Sequence, residues 1–160
     1  MKISIYIAIL IFLFVNTCFA QEPVWLTQIK QVKLLKTTEK DVEKIFGKPT
    51  ERYTDWTEYK LREGQVTFTY SKGRCGENED SNYDVAKGTV VGIYFYTPKY
   101  IKFKSLNVNL NGFKKKYETC LTNTFSYENR KLGIRYSVSY GWLVAIFINP
   151  SQKTTEFACQ

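Results

Sequence analysis

The sequence contains no histidine at all. Without histidine the chain cannot build a Ser–His or Cys–His nucleophile, lacks the commonest general base, and has few options for a zinc or copper site. Its four cysteines form no Cys-x-x-Cys pair, so the usual zinc and dithiol redox motifs are missing as well. These gaps predict a protein that is not an enzyme and that uses no metal or cofactor.

Long apolar runs are scarce too, and the only one lies at the N-terminus. Residues 1–20 combine a basic start, an apolar stretch and a small last residue, Ala20. This pattern is typical of a signal peptide and predicts cleavage between Ala20 and Gln21. We therefore expect a secreted or periplasmic protein with one domain at residues 21–160, whose core covers about residues 34–150.

The cysteines leave several arrangements open. The exported chain would keep Cys75, Cys120 and Cys159, and two of them should pair in an oxidising compartment. We predict a Cys120–Cys159 disulfide because it would tie the C-terminal tail to the domain, which leaves Cys75 free or bonded between molecules. In an alternative interpretation, the N-terminal segment carries a lipid on Cys18 and the protein is an envelope lipoprotein.

One polar loop resembles the beginning of a calcium site. Asp80, Asn82 and Asp84 alternate as calcium ligands do in a calcium-binding loop. The pattern then fails, because Val85 occupies the glycine position and Val91 the position of the closing glutamate. We predict a solvated loop and no metal site.

A short helix is predicted at residues 38–46. Thr38 and Asp41 have the spacing of a capping box, while Gly47 and Pro49 provide a stop. The apolar residues between them share one helical face: Val42, Ile45 and Phe46. About eight residues cannot persist as an isolated helix, so this one should pack against a sheet.

The next segment has the alternation of a β-hairpin. Val66 and Phe68 alternate with polar residues, and Gly64 supplies the turn before them. We expect Tyr59 and Leu61 to lie opposite Val66 and Phe68.

Similar patterns continue to the end of the domain. They predict a buried strand from Thr89 to Tyr96 that stops at Thr97-Pro98, a second hairpin around residues 125–140, and a last strand from Trp142 to Ile148. Residues 21–37 show no clean period. The predicted fold class is α+β: an antiparallel sheet of about six strands with the short N-terminal helix packed on one face. A weak internal repeat suggests two degenerate halves.

Basic residues interleave with aromatic ones in two places. Lys102 and Lys104 alternate with rings in one segment, and Lys114, Lys115 and Lys116 lie between Phe113 and Tyr117 in the other. Such a strip could hold an anionic ligand. Together with Trp56, these five lysines are our candidate binding residues. In the alternative, the lysines simply protect a solvent-facing sheet edge from association.

The pattern Thr38-x-x-Asp41-Val42-x-x-Ile45-Phe46-Gly47-x-Pro49, followed by an aromatic hairpin, resembles the BamE-like outer-membrane assembly lipoproteins. It is also similar to the β-lactamase-inhibitory-protein fold, and to short exported bacterial proteins in which such a hairpin ends in Gly73-Arg74-Cys75. The match covers about residues 34–75. The resemblance implies a small exported bacterial binding or scaffold domain, and it transfers no functional residue.

The function predicted from the sequence is an exported, non-enzymatic domain that binds a protein or an anionic envelope component. We expect no nucleic-acid partner for an exported protein, and peripheral contact with a membrane is compatible with the basic strip. The first alternative is a small exported enzyme or redox protein that uses a Cys75 thiolate, activated by Lys72 and Arg74. The second is the lipoprotein anchored through Cys18.

Overall fold

The computed structural model describes residues 23–77, 82–118 and 123–151, together with residue 158. The predicted signal peptide and its cleavage site lie outside these residues, as do Cys18, Asp80, Cys120 and Cys159. No helix in the described part of the chain is long and apolar enough to cross a membrane.

Two helices precede the sheet: α1 spans Val24–Gln31 and α2 spans Glu39–Phe46. At the start of α2, the Asp41 N–H donates to the Thr38 hydroxyl, and the Thr38 N–H donates to the Asp41 carboxylate. Gly47 caps the C-terminus of the helix, and its φ of +81° suits glycine. The predicted position and cap of this helix are confirmed.

Eight strands follow the two helices in the described part of the chain. They are β1 (Glu51–Arg52), β2 (Trp56–Lys60), β3 (Gln65–Tyr70), β4 (Val90–Lys102), β5 (Lys114–Tyr117), β6 (Thr124–Asn129), β7 (Ile134–Ser139) and β8 (Trp142–Ile148). A 3₁₀ helix at Phe103–Leu106 follows β4. The strands form one antiparallel sheet in the order β1-β2-β3-β4-β8-β7-β6-β5. Each half of the chain is thus a four-stranded meander, and the two meanders join where β4 pairs with β8.

The predicted fold class is wrong. The sequence predicts an α+β domain with about six strands and one helix packed on a face, whereas the structure is mostly an eight-stranded antiparallel sheet with two short helices. The prediction omits β1, which has two residues, and β5, which consists of three lysines and Tyr117. Neither strand has the alternation that identifies a half-buried strand, because all their residues are exposed.

The sequence also fails to predict α1. This helix has no side-chain cap at its N-terminus, where Pro23 precedes it, and only Trp25 and Ile29 are buried. The Trp25 ring stacks on Phe95 of β4, with centroids 4.1 Å apart. The helix is therefore held by tertiary contact rather than by a local signal.

The strand β4 continues past Pro98, which the sequence predicts as its end. Tyr96 lies opposite Ala145 of β8, but the next paired residue is Ile101, opposite Leu143. Pro98 falls in this interruption of the ladder, where its missing N–H leaves no hydrogen bond unmade.

The sheet has two different faces. On one face, which we call the covered face, Trp25 stacks on Phe95, and Phe103 of the 3₁₀ helix stacks on Tyr127 of β6 at 5.3 Å. The fully buried side chains of this core include Phe68 and Phe95. The residues that alternate with these along each strand form the opposite face, which we call the open face. From β4 to β5 the register places the following larger side chains on the open face: Tyr94, Tyr96, Lys102, Trp142, Phe147, Arg135, Glu128, Lys114 and Lys116.

Candidate functional site

The structure separates Trp56 from the lysines proposed to act with it. Trp56 begins β2, next to one edge of the sheet, where its ring stacks on Tyr53 at 3.9 Å. Lys114, Lys115 and Lys116 form β5, the opposite edge. Six strand spacings lie between β2 and β5, which is roughly 29 Å. Trp56 therefore does not belong to the same site.

The alternation of β5 divides its three lysines between the two faces. Lys114 and Lys116 lie on the open face, where Lys116 forms an ion pair with Glu128 of β6. Lys115 lies on the other side, with its Nζ 4.0 Å from the centre of the Phe125 ring and 5.0 Å from that of Tyr117. Only Lys114 and Lys116 can thus act together on one surface.

In the part of the chain that the structure describes, β5 is an edge strand with no strand paired on its outer side. Lysines on such a strand discourage edge-to-edge association. The alternative role suggested by the sequence, protection of the edge, therefore applies to the same residues as the binding role.

Lys102 lies at the end of β4, beside the first residue of β8. Its Nζ is 5.8 Å from the centre of the Trp142 ring, and the Tyr100 ring meets Trp142 edge-on at 5.4 Å. Tyr100 is 83% exposed. Lys104 lies in the 3₁₀ helix that follows and is exposed. Unlike Lys102, it does not take part in the pairing of β4 with β8.

Arg135 is a site residue that the sequence interpretation missed. Its guanidinium carbon lies 4.2 Å from the centre of the Phe147 ring, and Phe147 meets Tyr94 edge-on at 5.8 Å. The alternation of side chains along β7 could have indicated the face of the sheet on which Arg135 lies. Its neighbour across the sheet could not have been inferred, because β7 pairs with β8 through a register shift between Ser137 and Val138.

The charge on the open face is uneven. We define the basic surface as Lys102, Trp142, Phe147, Arg135, Lys114 and Lys116, on strands β4 to β5. Among the paired residues of strands β4 to β5, Glu128 is the one acidic residue on this part of the open face. The hydrogen bond that it accepts from Lys116 holds its pKa below the usual value. Among the described residues of this surface, four cations therefore accompany one ionised carboxylate. Around Trp56, by contrast, Lys60 accompanies Glu51 and Glu58.

The structure places Cys75 in a disulfide bond, and the partner cysteine lies outside the described residues. A bonded sulfur is not a nucleophile, so the enzyme alternative would require reduction of this bond first. If Cys18 leaves with the signal peptide, Cys75 can find a partner within its own chain only in Cys120 or Cys159. In that monomer, the predicted Cys120–Cys159 bond could not form in addition to the bond of Cys75.

Metal ligands are not grouped in the part of the chain that the structure describes: no three Cys, Asp or Glu side chains there are placed to hold one ion. Asn82 and Asp84 of the calcium-like loop are described, whereas Asp80 is not.

Comparison of the chain with protein-family models, with curated proteins and with solved structures gave no match. The resemblance of residues 34–75 to the BamE-like lipoproteins stays a prediction. The functional argument consequently depends on the geometry of the sheet.

Proposed function

We propose that this chain is an exported, non-enzymatic binding domain whose basic surface binds an anionic polymer of the cell envelope. The observation that carries the proposal is the grouping of four cations with aromatic rings on one open sheet face. Aromatic rings offer flat apolar contacts to sugar or acyl groups, while the cations attract carboxylates or phosphates.

The dimensions of the surface favour a polymer over a single small anion. Lys102 on β4 and Lys116 on β5 are separated by four strand spacings, which is roughly 19 Å. A small anion would contact one of these lysines, whereas a chain of repeated negative charges can contact both. Arg135 lies between them, on β7.

The test compares two variants with the same change in charge. K102Q/K114Q/K116Q removes three lysines from the basic surface. The control K36Q/K40Q/K48Q removes three exposed lysines in and beside α2. Both proteins are applied to an immobilised acidic polysaccharide, such as alginate, at low salt. Since each exposed charge contact is worth about 0.5 kcal/mol, the first variant should bind roughly tenfold more weakly.

The control should lose much less, and the difference should shrink at high salt because exposed charges are screened. Equal binding by the two variants would refute the proposal and leave the β5 lysines with edge protection alone. Retention only by envelope proteins, and not by the polysaccharide, would favour the protein-binding version of the sequence prediction.

The proposed export depends on residues 1–20, and intact mass of the exported protein tests it. A chain that begins at Gln21 has no Cys18 and cannot be the lipoprotein of the alternative interpretation. A lipid mass on Cys18 would establish that alternative instead.

A further inference from the structure

The end of the chain contacts a loop that lies far from it in the sequence. Ala158 forms an antiparallel β-bridge with Tyr83, in the loop between β3 and β4. The same loop contains Cys75, which is bonded in a disulfide. Cys159 directly follows Ala158 in the sequence. The bridge therefore leads one cysteine to the loop of another.

Hydrogen bonds hold the two parts of this loop together. The Ser71 hydroxyl accepts from the Gly73 N–H at 3.2 Å and donates to the Val85 carbonyl at 3.3 Å. Gly73 is two residues before Cys75, and Val85 is two residues after Tyr83. Cys75 and the bridge to the C-terminal segment are thus anchored through a single side chain.

The strand directions place the C-terminal segment and this loop at the same end of the sheet. β3 ends at Tyr70, which lies opposite Val90 at the start of β4. β8 ends at Ile148, which lies opposite Ile93, also near the start of β4. Since β3 and β8 flank β4, their ends are two strand spacings apart, which is roughly 10 Å.

The strand directions place the connection that contains Cys120 at the other end of the sheet. This connection joins β5 to β6, and Tyr117 at the end of β5 lies opposite Phe125. Through β7 and β8, this end of the sheet corresponds to the end of β4, near Lys102. β3 and β5 are also five strand spacings apart, roughly 24 Å. The Cα atoms of a disulfide are usually only about 4.4–6.8 Å apart, so this connection is badly placed to reach Cys75.

We propose that Cys75 forms its disulfide with Cys159 and that this bond straps the C-terminal segment to the loop between β3 and β4. The two thiols lose two protons and two electrons as the bond forms, and a protein disulfide of the exporting compartment accepts the electrons and is reduced to its dithiol. In the exported chain without Cys18, Cys120 then has no partner within its own molecule and stays a thiol. The strap uses no residue of the basic surface, so it is independent of the proposed function.

The experiment counts free thiols in the exported protein by intact mass, after alkylation in denaturant without reduction. C159S removes the proposed partner, and C120S is its matched control. We expect one alkylated cysteine in the wild type, two in C159S and none in C120S. Thermal unfolding gives a second readout, because a cross-link over a long loop restricts the unfolded chain. C159S should lower Tm by roughly 10 °C, whereas C120S should stay within about 2 °C of the wild type.

Two free thiols in C120S and none in C159S would identify Cys120 as the partner and overturn the proposal, as would three free thiols in the wild type. If C159S does not fold, a tryptic map of the non-reduced wild type decides alone. Trypsin separates the three cysteines, since Lys87 and Lys153 lie between them. K102Q/K114Q/K116Q should give the same thiol count as the wild type, so failure of this proposal and failure of the proposed function can be told apart.

Discussion

Replacement of Trp25 by alanine should destabilise the domain more than any change on the surface of α1. Trp25 is 2% exposed, and its ring lies nearly parallel to Phe95, at an interplanar angle of 6°. Large aromatic-to-alanine changes in cores cost about 3–5 kcal/mol. A domain of this size has a total stability of only about 5–15 kcal/mol. The variant should therefore lose about a fifth or more of its free energy of unfolding.

A second variant separates the ring contact from the indole N–H. The Trp25 Nε1 is buried and has no hydrogen-bond partner among the described residues. W25F keeps a ring on Phe95 and removes this donor, whose burial costs about 1–3 kcal/mol. The lost volume and the removed donor should nearly cancel, so we expect a change within about 1 kcal/mol. V24A changes an exposed residue of the same helix and should alter stability by less than about 0.5 kcal/mol.

The assay is urea denaturation followed by far-UV circular dichroism, with linear extrapolation to water. A loss below about 1 kcal/mol for W25A would show that α1 is not anchored through Trp25. A W25F variant as unstable as W25A would refute the argument that the ring stack carries the effect.

Three further predictions concern the cap of α2 and the disulfide. T38A removes the hydroxyl that accepts from the Asp41 N–H, and it should lower the free energy of unfolding by about 1 kcal/mol in the same urea assay. An unchanged free energy of unfolding would contradict the role of the capping box. The hydrogen bonds from Lys44 and Thr38 lower the pKa of Asp41 from 3.8 to about 2. The stabilisation by its carboxylate should therefore be complete above about pH 4 and fall as the pH drops towards 2. The D41N variant should lack this acid dependence. Peptide mapping of the non-reduced exported protein should find Cys75 in a disulfide with Cys120 or Cys159, and rapid alkylation of Cys75 in the folded protein would contradict this.

The elements that the sequence predicts correctly are those with local signals. The capping box of α2 requires only residues 38–41, and it is present. In the first hairpin, Tyr59 lies opposite Val66 as expected, but Thr57 rather than Leu61 lies opposite Phe68. Antiparallel strands run away from the turn in opposite directions, so the Tyr59–Val66 pair requires Thr57 opposite Phe68. Leu61 lies at the turn, where its N–H donates to the Gly64 carbonyl.

The elements that the sequence misses depend on distant partners. α1 is held by a stack on a residue seventy positions away in the chain, and β5 is a strand only because β6 pairs with it. Lysine has a low β-propensity, so three consecutive lysines give no strand signal of their own.

The candidate site was predictable in composition but not in arrangement. Lys102, Lys114 and Lys116 were found from their aromatic neighbours in sequence, and the register places them on one face. The same register assigns Trp56 to the far half of the sheet and Lys115 to the other face. Arg135 joins the site because the order β8-β7-β6 brings it between Phe147 and Glu128.

The most direct test of the central claim uses the three tryptophans as reporters in a titration with acidic polysaccharide, followed by the indole N–H resonances at low salt. Trp142 lies in the basic surface beside Lys102, and Trp56 lies in the opposite half of the sheet. Trp25, a residue of α1, is buried against Phe95 of the sheet. We expect the Trp142 resonance to shift with polysaccharide concentration while those of Trp56 and Trp25 stay in place. A titration that moves Trp56 and leaves Trp142 unchanged would contradict the account.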